Sequence, residues 1–480
     1  MNKFFVYILF AFLGISCNDF LEYKDNDKII PKELSHYDEL VFGELTKKTS
    51  GTEMIYLDLM TDDVMSVVSL SGSTPPTERR ERYFGYFTWA VNEQLDIQER
   101  ETNDNTWAFF YHRILTCNIF EHDLLTKFEF DTEGVKRRLL GEIAFIRAMS
   151  YFYLVNLYGE PYKSAEQART AQGVPINTEI SIEQKHYVRA TLQANYDLIE
   201  RNLLQAIDYF QEGEQLNSIF RPNIDAARLF LSRIYLYQKK WQEAKNICDT
   251  LIMYSSAKIE SYVALEQNIS SSQAFYNKGN TGIIFSWGDR YDTPLTNSYY
   301  NTGHWEVSDD LRAMYTENDI RKKAFFYTYA PYYPYKMKSY SGATVYDWCY
   351  RIEEAYLNRA EACIELGEEY VRQAISDINE IRKNRLSGDY EVQATDVTRA
   401  KQLLRDEKRM EFCFEDTRWF DIRRWEIEIT HKFHDLSIPT NADTYVLPAG
   451  SPNYILSLPL EVQRINFEIT NFKRVETLVK

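Results

Sequence analysis

Two stretches of this chain share one pattern, and that pattern limits what the chain can fold into. The first is AARLFLSRIYLYQKKWQEAKNICDTLI, residues 226–252. It reads as two helices joined at Lys239 and Lys240, with apolar residues at helical spacing. Ser232, Tyr235 and Ala244 fall where a helical-hairpin repeat places small, aromatic and small side chains. The second is EEAYLNRAEACIELGEEYVRQAISDINEIR, residues 353–382, in which Ala360 and Ala374 bracket a turn at Gly367. Small residues at these positions let paired helices approach closely. The two units are about a hundred residues apart, so the pattern predicts a scaffold of tetratricopeptide-like helix pairs and not a plain repeat array.

Further helices flank these units. Residues 131–160 carry Leu139, Ile143, Ile146, Met149 and Leu154 at spacings of three to five, which predicts one apolar stripe ended by Gly159 and Pro161. A second amphipathic run spans Tyr187 to Phe210. Other regions lack the helical period and carry Gly, Pro, Asn and Thr. Thr61–Ile97, Gly279–Gly342 and Pro439–Asn466 therefore read as loops and short strands. The predicted class is mainly α, with a large irregular, loop-rich part and few short strands. The scaffold lies at about 100–260 and 348–425, and the aromatic-rich irregular parts at about 50–100, 270–345 and 430–480.

The N-terminus makes a separate point. Met1-Asn2-Lys3 precedes twelve uncharged residues, Phe4 to Ile15, too few for a bilayer helix, which needs about 20. A basic start, a short apolar run and small residues before a break are the parts of a secretory signal, here residues 1–16. Cys17 stands at its end, and an acyl chain on it would provide a membrane hold. Cys117, Cys248, Cys349, Cys363 and Cys413 form no C-x-x-C pair and read as buried small apolar residues, Cys349 and Cys363 within helix cores.

The net charge of −16 argues against nucleic acid, whose phosphates need a basic face. Catalysis is also disfavoured. RDEKRMEFCFEDTRWFDIRRW, residues 405–425, sets six acidic side chains against six basic ones on a helix and its exit. That balance suits ion pairs that fix packing better than two carboxylates facing a cleft. His431 and His434 stand at i, i+3 without a third ligand nearby, so they read as surface histidines. No cofactor or metal is expected.

The aromatic content points to binding: 36 Tyr, 28 Phe and 8 Trp. A flat ring stacks on the C–H face of a pyranose while polar side chains read its hydroxyls. Trp287, Tyr291, Tyr299, Tyr300 and Trp305 lie in one polar loop with Asp289 and Asn297; Trp89, Tyr83 and Asp63 lie in the other irregular region. For Trp287 and Trp305 the sequence leaves ligand contact and packing both open. If they contact ligand, Trp287→Ala or Trp305→Ala weakens binding without unfolding. Glu78–Tyr83 (ERRERY) reads first as a solvated charge run, with its arginines as secondary ligand contacts. In FFYTYAPYYPYK, seven of the eleven residues from Phe325 to Tyr335 are aromatic, which reads as packing or contact with a channel partner.

Several segments in order resemble the SusD/RagB family of surface nutrient-binding lipoproteins of Bacteroidetes. They are CNDFLE from Cys17, DLMTDD with Asp58, Asp62 and Asp63, and WAFFYHRILTCN with Trp107, Tyr111, Ile114 and Asn118. GEIAFIRAMSYFYLVNLYGEP follows, with Glu142, Arg147, Tyr151, Phe152 and Tyr158, then VSDDLRAMYTENDIR, ending in Asp319 and Arg321. The two long blocks at 351–367 and 405–425, and LSLPLEVQRIN near the end, complete the set. The resemblance implies one SusD-like binding domain over 17–480 and a lipid on Cys17 in the outer membrane. It implies a non-catalytic role and a SusC-like TonB-dependent transporter to which an oligosaccharide is delivered for nutrient uptake. Peptide binding, as in the RagB branch, and a tetratricopeptide adaptor gripping only protein are the alternatives.

Overall fold

The computed structural model describes residues 31–46, 54, 56–66, 81–102, 104–130, 134–182, 185–266, 279–287, 305–326, 348–434 and 442–480. Among them, the helices of eight or more residues are α1 (Leu34–Thr46), α2 (Thr106–Lys127), α3 (Val135–Tyr158), α4 (Leu192–Glu212), α5 (Ile224–Tyr237), α6 (Trp241–Tyr254), α7 (Ile352–Leu366), α8 (Val371–Lys383), α9 (Val397–Phe412) and α10 (Arg418–Trp425). From α2 to α9 each helix packs against the next. The run continues from α6 to α7 across the long intervening segment. The two hairpin units are thus separate in sequence and stacked in space.

Local chemistry sets the helix boundaries. The side chains of Thr191, Asn223 and Asp396 accept from the backbone N–H of Ala194, Ala226 and Arg399, capping α4, α5 and α9. The Thr191 cap is why the run predicted from Tyr187 becomes helical only at Leu192. Gly367 ends α7 at φ 131°, a backbone setting that favours glycine, and opens the turn into α8. Ser232, Ala244, Ala360 and Ala374 are all buried where helices meet. The stacked units are pinned by Asn358 Nδ2 donating to Ser232 Oγ at 3.0 Å and by the two-pronged Arg233–Glu354 pair.

α3 departs from the predicted single stripe. Every residue from Arg138 to Tyr158 is buried, because α1, α2 and α4 surround it. A Cβ on Gly141 would meet the Phe210 ring at 2.8 Å, so glycine sets how closely α3 and α4 approach.

The strands are short. β1 (Val64–Ser66) pairs antiparallel with β3 (Trp305–Val307), and β2 (Ile283–Trp287) with β4 (Trp348–Arg351). β5 (Ile429–His434), β6 (Ala442–Leu447) and β7 (Leu478–Val479) form a third antiparallel sheet. Phe285 and Tyr350 meet Phe145 and Phe230 edge-on, at 5.4 and 5.8 Å between centroids, seating the β2–β4 ladder on α3 and α5. Cys117, Cys248, Cys349, Cys363 and Cys413 are not disulfide-bonded. Four are buried, but Cys349 lies half-buried on β4 and not in a helix core.

Candidate functional site

The two small ladders decide where the aromatic loops leave the fold. Ser66, the last residue of β1, pairs with Trp305, the first of β3. Trp287, the last residue of β2, pairs with Trp348, the first of β4. The segments 67–80, 288–304 and 327–347 therefore start or end at these two ladder ends. Tyr291, Tyr299, Tyr300, Asp289 and Asn297 lie outside the described residues, as do Cys17 and most of FFYTYAPYYPYK.

The site candidates within the described residues are all buried. Trp287 is 2% exposed; the Arg113 guanidinium lies 4.7 Å from its ring, with Phe109 alongside. Trp305 is 4% exposed and packs 4.5 Å from Phe87. Trp89 is 1% exposed, donates from Nε1 to Met60 O at 3.0 Å and stacks on His431. Tyr83 is buried with the Arg82 guanidinium 5.6 Å from its ring. Asp63 is buried and accepts from Arg409 Nε at 2.7 Å. None of the five offers a free face to a sugar in this conformation. This corrects the expectation of an exposed platform at these positions. Trp287 and Trp305 instead anchor both ends of the segment that holds the remaining candidates. A large ring beside a Gly- and Asn-rich loop reads the same in sequence whether it anchors the loop or serves it.

Charged side chains fix the β1 root. Arg418 grips Asp62 with two hydrogen bonds of 2.8 Å, and Arg409 adds Asp63 and the Asp62 carbonyl. Burial would raise the Asp62 carboxyl, but Arg418 and then Arg409 hold it below its ordinary range. Burial wins at Asp63 and raises its carboxyl. Glu306, one residue along β3 from Trp305, is pushed by burial up to about 7. Sequence reading missed Arg113, Arg409, Arg418 and Glu306 at this site. The only trace was the reading of the 405–425 block, which holds Arg409 and Arg418, as a source of ion pairs that fix packing.

His431 is likewise not the surface residue expected. It is buried between Phe87 and Trp89, with ring centroids at 4.1 and 4.3 Å. Its two nitrogens face Phe87 O and Thr61 O, each at 2.8 Å. Burial outweighs these contacts and pushes its pKa from 6.5 down to about 4. In that interval the folded chain binds fewer protons than the unfolded one, so acid favours unfolding. This contribution is fully present above about pH 6.5 and is lost as pH falls towards 4, up to about 3 kcal/mol. Between pH 7.5 and 5 the melting temperature of the wild type is expected to fall more than that of His431→Phe. Parallel slopes would refute this assignment.

Among the described residues, no three His, Cys, Asp or Glu side chains gather as a metal site would require, and no helix is long and apolar enough to cross a membrane.

Comparison with known proteins fits this architecture. The SusD/RagB model, described as the SusD family, matches residues 228–457, and a model described as starch-binding associating with outer membrane matches residues 44–236. SusD-like protein P25 of Formosa agariphila is 24% identical over 270 residues, 53% of this chain and 46% of that protein, so the match spans less than half of the relative's length. A SusD superfamily structure from Bacteroides thetaiotaomicron superposes with a TM-score of 0.73 at 19% identity, covering 91% of this chain and 99% of that one. A putative sugar binding protein from Bacteroides vulgatus gives 0.70 at 20% identity, covering 92% and 98%. At these identities the structural likeness speaks to fold. The two models together run from residue 44 to residue 457, over the same helix array and ladders, and the chain belongs to the SusD/RagB family.

Proposed function

We propose that this protein is a lipid-anchored, non-catalytic binding protein at the outer-membrane surface, which captures an oligosaccharide or polysaccharide and delivers it to a SusC-like TonB-dependent transporter. The observation that carries the reading is the rooting of segment 288–304. It is held at both ends by buried tryptophans and begins and ends beside two further segments, 67–80 and 327–347. Tyr291, Tyr299 and Tyr300 are the proposed stacking rings, with Asp289 and Asn297 reading hydroxyls. Rigid roots lower the ordering cost of such a surface, so more of the contact energy appears as affinity. The description of one matching family model as starch-binding, and a structural neighbour titled sugar binding, support a glycan as ligand. Cys17 is the proposed lipid attachment, residues 1–16 being removed as the signal.

A binding screen of the mature chain against matched oligosaccharide and peptide arrays tests the ligand class. The expected result is saturable binding of at least one glycan family and of no peptide. Peptide binding alone would move the chain to the RagB-type reading. Retention of a protein partner with no glycan bound would favour an adaptor.

A further inference from the structure

A second site stands on the helical face, away from the loop roots. Trp425, the last residue of α10, is half-buried. Three cations surround its ring: Arg424 at 4.3 Å, Arg405 at 5.0 Å and Lys408 at 5.9 Å from the centroid. Two of them are engaged. Lys408 donates to Glu361 at 2.7 Å and to Asn358 at 3.1 Å, and Arg424 pairs with Glu361 and Asp421. The neighbouring Glu365 is held by Lys401 at 2.7 Å. Arg405 differs. Among the described residues it has no hydrogen bond or ion pair, and its Nε is buried without an acceptor. Burial, helped by the neighbouring Arg424 charge, lowers its pKa against the opposing pull of Glu361, Glu365 and Asp421.

A half-buried guanidinium laid over a tryptophan, with its planar fork unused, is arranged to take two oxygens of one anion. The ring beside it adds apolar surface. The chain as a whole carries −16, so an acidic ligand is repelled in general and needs such a local cation to bind. The opposite end of α10 holds Arg418 on Asp62 at the loop root, about 10 Å away along the eight-residue helix.

We propose that Arg405 and Trp425 form a second ligand site for an oxyanion, the carboxylate or sulfate group of an acidic sugar. That the anion belongs to a sugar rests on the proposed glycan-binding function, whereas the oxyanion site stands on its own geometry and does not depend on the loop site. The test uses the mature chain labelled with 5-fluorotryptophan, the Trp425 resonance being assigned through Trp425→Phe. Galacturonate and inorganic sulfate are titrated, with glucose as the neutral control. The expected result is a saturable shift of the Trp425 signal with galacturonate, sulfate or both, and none with glucose. A response to one anion alone identifies which group the site prefers. Arg405→Gln is expected to weaken the response at least tenfold. Arg405→Lys keeps the charge and stem but not the planar fork, and should weaken it as well. No saturable shift with either anion in the wild type would overturn the proposal. So would an unchanged response in folded Arg405→Gln. Should Arg405→Gln fail to fold, full response in Arg405→Lys overturns it and a weakened one supports it.

Discussion

Glu411→Ala is expected to destabilise the fold by about 3–5 kcal/mol, the cost of breaking a buried ion cluster from one side. Glu411 is fully buried and accepts from three guanidiniums: Arg351 at 2.8 Å, Arg385 at 2.9 and 3.0 Å, and Arg321 at 3.1 Å. Those arginines are fully buried as well, and they extend to Asp319, Glu353, Glu407 and Glu415. Burial alone would push the Glu411 carboxyl up, but Arg385, Arg351 and Arg321 hold it well below its ordinary range. The cluster ties residues 319–321, 351–353, 385 and 407–415 into one knot. It also steadies the turn after α9, where Phe414 and Asp416 both hold a φ of 58°, a left-handed setting that aspartate tolerates and phenylalanine rarely adopts. Removing Glu411 takes away the one carboxylate that all three buried arginines share and leaves the N–H groups aimed at it without an acceptor. Its contribution is present above the unfolded carboxylate pKa, about 4.3, and is lost as pH falls below that. Urea unfolding of the wild type and Glu411→Ala measures the loss. A difference under about 1 kcal/mol would show that the cluster does not hold the fold in this way.

Trp287→Ala is the second large effect, about 3–5 kcal/mol for removing a buried tryptophan. The ring fills the space between Phe109 and Arg113, and its loss leaves a cavity under a buried cation. The same change frees the root of segment 288–304, so ligand affinity should fall together with stability. The sequence alone left ligand contact and packing both open for Trp287, and only the contact reading predicts weaker binding in a protein that stays folded. Burial reverses the order of cause. Thermal unfolding and calorimetry on one preparation separate the two accounts. A native melting point with lost binding would return Trp287 to the role of ligand contact.

These two residues show what a sequence can and cannot disclose. The hairpin units were legible because Ser232, Ala244, Ala360 and Ala374 must be small for helices to touch, and because Gly367 suits a φ that other residues avoid. The 405–425 block was legible as structural, but its partners were not. Of its ion pairs, Asp421–Arg424 joins near neighbours, whereas Arg409 and Arg418 reach Asp63 and Asp62, about 350 residues earlier in the chain. Charge balance within a helix cannot reveal a partner that only the fold brings near. Tryptophan fails for a related reason. Trp89, Trp287 and Trp305 sit in polar, irregular surroundings along the chain, yet in space they meet His431, Arg113 and Phe87. His431 misled because its alternation on β5, buried at 429, 431 and 433, is visible only once the strand is known.

Segment 288–304 is proposed to bind glycan from roots fixed by Trp287 and Trp305. The direct test is calorimetry of the best oligosaccharide from the array against the wild type and a Tyr299→Ala, Tyr300→Ala double variant, with circular dichroism and melting curves on both. At about 1 kcal/mol per ring beyond area burial, the double variant should lose about 10- to 30-fold in affinity with an unchanged melting temperature. Equal affinity in a folded double variant would contradict the claim.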